Sequence, residues 1–99
     1  MTHRLYKVVS LMIVGEYTLR LEFDDGATQI IDFTPVLFGE LFGPLRDLVL
    51  FNQVTLDPVA HTVTWPNGAD FDPETLRHWP DYVDELAARV RARSIADVA

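Results

Sequence analysis

Between residues 17 and 33 the chain alternates apolar and polar side chains, stops at an acidic glycine turn and then alternates again, a pattern that few folds satisfy. Leu19, Leu21 and Phe23 are interleaved with Thr18, Arg20 and Glu22. A period of two puts the three apolar side chains on one face of a half-buried strand. Asp24-Asp25-Gly26 follows, and aspartate and glycine tolerate the positive φ that tight hairpin turns require. Thr28 to Phe33 resumes as a third strand. The stretch Leu5 to Val14 is rich in β-branched and apolar residues and ends at Gly15-Glu16, so it reads as the first. The N-terminal third therefore predicts an antiparallel β meander.

At Thr34-Pro35 the pattern changes. Threonine can cap the free amides of a following turn, and proline fits a first helical position that needs no N–H. A short helix is expected there, and a second from Pro44, with Leu45, Leu48, Val49 and Leu50 or Phe51 as its buried face. Both are expected to lie over the sheet. Val54 to Leu56 and Thr62 to Trp65 read as a further strand pair around Asp57-Pro58-Val59-Ala60-His61, and Ala69 to Phe71 as one more short strand. Asp72-Pro73-Glu74-Thr75 has helix-start composition, with Leu76 as its first core contact. A last, amphipathic helix begins near Pro80, with Val83, Leu86, Ala87 and Val90 recurring at three- and four-residue intervals. The expected class is α+β: antiparallel meander and hairpins, short helices packed on the sheet and a C-terminal amphipathic helix. Residues 1–79 form one domain in this reading, and residues 80–99 a helix packed on it.

Composition excludes several functions. A chain of 99 residues supports one core. The absence of cysteine removes disulfides, thiolate metal sites and cysteine nucleophiles together, and points to a reducing cytoplasm. The opening Met-Thr-His-Arg-Leu-Tyr-Lys predicts neither a secretory signal nor a membrane span. A formal net charge of −7 opposes direct nucleic-acid binding, which depends on concentrated lysine and arginine. Arg89, Arg91 and Arg93 form a local exception, read first as late-turn charges that complement a helix dipole.

The densest run of distinctive residues is Trp65-Pro66-Asn67-Gly68-Ala69-Asp70-Phe71-Asp72-Pro73-Glu74-Thr75-Leu76. Proline second and glycine fourth suit a type I turn at its start. Taken in order with Phe23 to Gly26, Asp32 to Pro35, Phe42 to Leu45 and Phe51, it resembles the bacterial domain-of-unknown-function family numbered 2442, over about residues 5 to 77. The resemblance implies a small domain with no assigned activity. It also implies an occasional fusion to a helix-turn-helix and a gene neighbour encoding another small domain, hence a toxin–antitoxin suggestion. Here a single C-terminal helix stands in place of the two that a helix-turn-helix needs.

Few residues offer chemistry. Asn67, Asp70, Asp72 and Glu74 carry oxygen ligands within eight positions and form the candidate site for a hard cation such as Ca²⁺ or Mg²⁺, or for a small ligand. Their spacing is not that of a calcium loop, and turn, N-cap and first-turn roles account for Asn67, Asp72 and Glu74. His3, His61 and His78 are too scattered for a helical zinc motif. Ser10 and Ser94 lack a nucleophile elbow, and the glycines, at positions 15, 26, 39, 43 and 68, stand singly rather than as a phosphate cradle. Trp65 and Trp79 read as core or subunit packing before they read as a binding face. No catalytic residue and no cofactor is expected. The functional expectation is a non-enzymatic protein-interaction module, antitoxin-like in a two-gene system and weakly homodimeric through an open strand edge. The alternatives are the carboxylate-lined ligand site and an uncharacterised enzyme.

Overall fold

The computed structural model describes residues 5–98, with side chains as far as Ala92. His3, the Arg93 side chain and the Ser94 side chain lie outside the described residues. Strands β1 (Val8–Gly15), β2 (Thr18–Phe23) and β3 (Thr28–Asp32) form an antiparallel sheet in the order β1-β2-β3. Leu19, Leu21 and Phe23 are all buried, as their alternation requires, and Leu19 pairs across to buried Ile31. Arg20 and Glu22 point the other way and bond each other at 2.6 Å.

The turn between β2 and β3 has one left-handed residue, Gly26 at φ +87°. Gly26 N–H donates to the Phe23 carbonyl (3.0 Å) and Phe23 N–H to the Ala27 carbonyl (2.9 Å). This is the three-residue loop with a glycine bulge rather than a two-residue turn.

After β3 come a 3-10 turn (Thr34–Val36), α1 (Gly39–Phe42), a second 3-10 turn (Gly43–Arg46) and α2 (Leu48–Phe51). Two sequence expectations are corrected here. Thr34 does not cap: the Asp32 carboxylate accepts both the Thr34 N–H and its hydroxyl, since the aspartate precedes the turn and reaches both donors. Val49 is not buried but 72% exposed. Asp47 breaks the helical run and restarts it by accepting the Val49 N–H, so the helix phase shifts and Leu45 and Phe51 take the core positions.

Strands β4 (Thr55–Asp57) and β5 (Thr62–Thr64) form a second antiparallel pair. The expected strand at Ala69 to Phe71 reduces to a single bridge, Asp70 to Thr64. Helix α3 (Pro73–Arg77) and helix α4 (Trp79–Val98) complete the chain, and α4 packs on the first 3-10 turn and on α1. Val90 is buried, with Val83, Leu86 and Ala87 packed against the same core.

One core joins these elements. Phe33 is fully buried at its centre, with ring centroids of Phe71 and Trp79 at 5.2 Å and of Phe51 and Trp65 at 5.9 Å. Both tryptophans are therefore core residues, 4% and 6% exposed. Of the described arginines of α4, Arg89 bonds Glu85 one turn back at 2.9 Å, while the Arg91 guanidinium lies 4.9 Å over the Phe38 ring. Among the described residues no helix is long and apolar enough to cross a membrane.

Candidate functional site

The Trp65 to Leu76 segment builds its own backbone. Gly68 N–H donates to the Trp65 carbonyl at 3.0 Å, Trp65 N–H to the Ala69 carbonyl at 2.9 Å, and Gly68 sits at φ +89°. This repeats the Phe23 to Ala27 turn, down to the side chain that props it. Asn67 Oδ1 accepts the Ala69 N–H at 3.1 Å, as Asp25 Oδ1 accepts the Ala27 N–H at 3.1 Å. The Asn67 amide then donates to the Leu41 carbonyl at 2.9 Å, tying the turn to α1. Trp65 Nε1–H donates to the Phe51 carbonyl at 2.9 Å, and the buried Thr62 hydroxyl donates to the Phe71 carbonyl. Asp72 Oδ2 accepts the N–H groups of Glu74 (3.1 Å) and Thr75 (3.4 Å), the N-cap its position predicts, and Leu76 behind it is fully buried.

The four candidate oxygen ligands therefore divide. Asn67 is engaged at both ends of its amide, and Asp70 is exposed with no side-chain bond among the described residues. Asp72 and Glu74 instead line a cleft of about 710 Å³, with Leu5, Tyr6 and Lys7 ahead of β1, Ala60 and His61 of the second hairpin, and Pro73 and His78. Among the described residues no group of three or more histidine or carboxylate side chains is placed to hold a metal ion.

Local chemistry explains how these distant residues meet. The Asp57 carboxylate accepts the Val59 (2.8 Å) and Ala60 (3.1 Å) N–H groups, which hold its carboxyl below the usual aspartate range with help from the His61 charge. The turn ends with His61 at φ +56°, and the His61 carbonyl accepts the Val8 N–H at 2.9 Å, bringing the entry to β1 alongside the hairpin. On the other wall, Tyr6 meets His78 edge to face at 5.4 Å, with Oη 3.3 Å from Nε2. Arg77 bonds Asp25 at 3.0 Å and lies 5.4 Å over the Tyr6 ring. Beside the cleft the Glu74 carboxylate, together with partial burial, raises the Tyr82 hydroxyl above the usual tyrosine range.

The cleft thus offers two carboxylates, two imidazoles, an ammonium group and apolar rims. Leu5 is 82% exposed at one rim, and Val59, next to Ala60, is 85% exposed. Sequence reasoning grouped Asp72 and Glu74 with Asn67 and Asp70, left His61 and His78 as scattered residues, and did not bring the two carboxylates and the two imidazoles together. Tyr6 and Lys7 carried no local signal beyond strand composition.

Fold and site define a class: a small α+β domain whose meander and hairpin share one aromatic core, carrying a carboxylate- and imidazole-lined cleft where the chain's entry, the second hairpin and a capped helix meet. The chain belongs to the family described as protein of unknown function (DUF2442), whose model matches residues 8–82. That span reaches into α4 and takes in Trp79, beyond the limit near residue 77 at which the sequence resemblance was expected to end. Comparison with curated proteins and with solved structures gave no match.

Proposed function

We propose that the chain is a non-enzymatic protein-interaction module whose Leu5–His78 cleft receives a basic, partly apolar segment of a protein partner. The observation that carries this reading is the make-up of that cleft. Neither Asp72 nor Glu74 pairs with a lysine or arginine among the described residues, and Leu5 offers apolar surface beside them. A net charge of −7 steers the same kind of partner by long-range attraction. An antitoxin-like pairing with the product of a neighbouring gene is one arrangement of this kind.

The reading is tested by co-expression with that product and titration of the purified pair. Glu74→Lys is expected to weaken binding at least tenfold at low salt while leaving the circular dichroism spectrum unchanged. A native chain that stays alone at micromolar concentration with that product, or binding indifferent to Glu74→Lys, would dismiss the proposal. The rival ligand-binding reading rests on Asp72 and Glu74, because Asn67 is held by Leu41 and Ala69 and Asp70 does not line the cleft.

A further inference from the structure

Two turns of this chain are built alike, and they differ at the residue before the glycine. In each, the glycine N–H donates at 3.0 Å to a carbonyl three positions back, Gly26 to Phe23 and Gly68 to Trp65. Asp25 Oδ1 and Asn67 Oδ1 accept the N–H two positions on, each at 3.1 Å. The other oxygen of Asp25 bonds Arg77 Nε at 3.0 Å, whereas the amide nitrogen of Asn67 donates to the Leu41 carbonyl of α1 at 2.9 Å. Only the second turn therefore joins asparagine to glycine. That dipeptide is the one most open to succinimide closure, because glycine has no Cβ to shield its nitrogen from the neighbouring amide carbon. Asn67 and Gly68 are both exposed, and no heavy atom lies within 4 Å of where a Gly68 side chain would begin.

We propose that Asn67-Gly68 is a deamidation site that the tether to α1 keeps closed in the folded chain, and that conversion to aspartate cuts that tether. The step needs water alone as co-reactant. The Gly68 nitrogen gives its proton to solvent and attacks Asn67 Cγ; the N–Cγ bond closes a succinimide ring as the Cγ–Nδ2 bond breaks and ammonia leaves. Water then opens the ring to aspartate or to its β-linked isomer. Closure must first take the Asn67 amide from Leu41 and Ala69 and the Gly68 N–H from Trp65, so its rate follows the population of the locally opened turn. The twin turn shows what the aspartate product keeps. Asp25 props its turn with a carboxylate oxygen as Asn67 does with an amide oxygen, so the bond to Ala69 survives. The bond to Leu41 does not, since a carboxylate has no N–H and sets acceptor against acceptor. The β-linked isomer also lengthens the main chain by one carbon inside the turn. Helix α1 carries Phe42, whose ring stacks on Phe71 at 4.9 Å, and packs on α4, so losing the tether loosens the corner where these segments meet. The site lies outside the Leu5–His78 cleft, and the inference goes beyond the partner binding proposed there.

The test follows conversion in mildly alkaline buffer by peptide mapping with mass spectrometry, which separates asparagine from aspartate and its isomer. Asn67 is expected to convert at least tenfold more slowly in the folded chain than in the chain unfolded by urea. Asp25→Asn gives the twin turn the same dipeptide without a carbonyl tether, and that position should convert at least threefold faster than Asn67 in the same folded molecule. Asn67→Asp reproduces the main product. Hydrogen exchange should then quicken at least tenfold at the Gly43 amide, which bonds the Gly39 carbonyl at the end of α1, while the Ala69 amide keeps its protection. Conversion of Asn67 as fast folded as unfolded, or no faster at position 25 than at Asn67, would overturn the guarding role of the tether. Unchanged exchange at Gly43 in Asn67→Asp would overturn the consequence drawn for α1.

Discussion

Phe33→Ala is expected to lower the unfolding free energy by about 3 to 5 kcal/mol, the range for emptying a fully buried aromatic site. Phe33 follows β3, and its ring touches the rings of Phe51 at the end of α2, Trp65 after β5, Phe71 before α3 and Trp79 at the start of α4. No single neighbour can move into the gap without leaving its own element, so the cavity should persist and its cost should sit toward the upper end. A domain of this size has a total stability of about 5 to 15 kcal/mol, so the variant should be marginal at 25 °C. Urea unfolding followed by tryptophan fluorescence measures this directly, since both tryptophans lie against the altered site. A loss below about 1 kcal/mol would mean that the aromatic centre is not the keystone described here.

Trp65→Ala should cost about as much, roughly 3 to 5 kcal/mol, but for a different mixture of reasons. It removes a ring that contacts Phe33, Phe51 and Phe71, and also the Nε1–H bond to the Phe51 carbonyl. That carbonyl also accepts the Val54 N–H at 3.2 Å, so no orphaned acceptor remains and packing should dominate the loss. Trp65→Phe separates the two contributions. It keeps an aromatic ring while deleting the indole donor, and is expected to cost about 1 to 2 kcal/mol by urea unfolding. Equal costs for the two variants would assign the role of Trp65 to its hydrogen bond instead. The Phe33 and Trp65 effects should not add, because the rings touch.

The strands were legible because their information is local. The alternation of Leu19, Leu21 and Phe23 decides which face is buried, and the glycines of Asp24-Asp25-Gly26 and Pro66-Asn67-Gly68 supply the positive φ on which each turn depends. The Asp72 cap and buried Leu76 were legible for the same reason. Val49 was not. Its place in an apolar run suggested burial, yet Asp47 intervenes and resets the helix by one cap, a competition between two short helical segments that spacing alone does not decide. Thr34 failed for a related reason: its hydroxyl donates to Asp32 two residues earlier, and the Val36 and Leu37 N–H groups it was expected to cap bond the Phe33 and Thr34 carbonyls instead. The cleft was the least legible feature. It depends on the Val8 to His61 backbone bond and on Tyr6 reaching His78, contacts across 53 and 72 positions of chain. Nothing near Tyr6 or Lys7 in sequence announces them.

The central claim is that the polar residues after Trp65 hold the chain in shape, and the sharpest contrast among them is between Asn67, bonded at both ends of its amide, and Asp70, bonded at neither oxygen among the described residues. Urea unfolding of Asn67→Ala beside Asp70→Ala tests it most directly. The account predicts a loss of about 1 to 2 kcal/mol for the first and less than about 0.5 kcal/mol for the second. Equal losses, or losses at both positions that emerge only in millimolar Ca²⁺ or Mg²⁺, would contradict it.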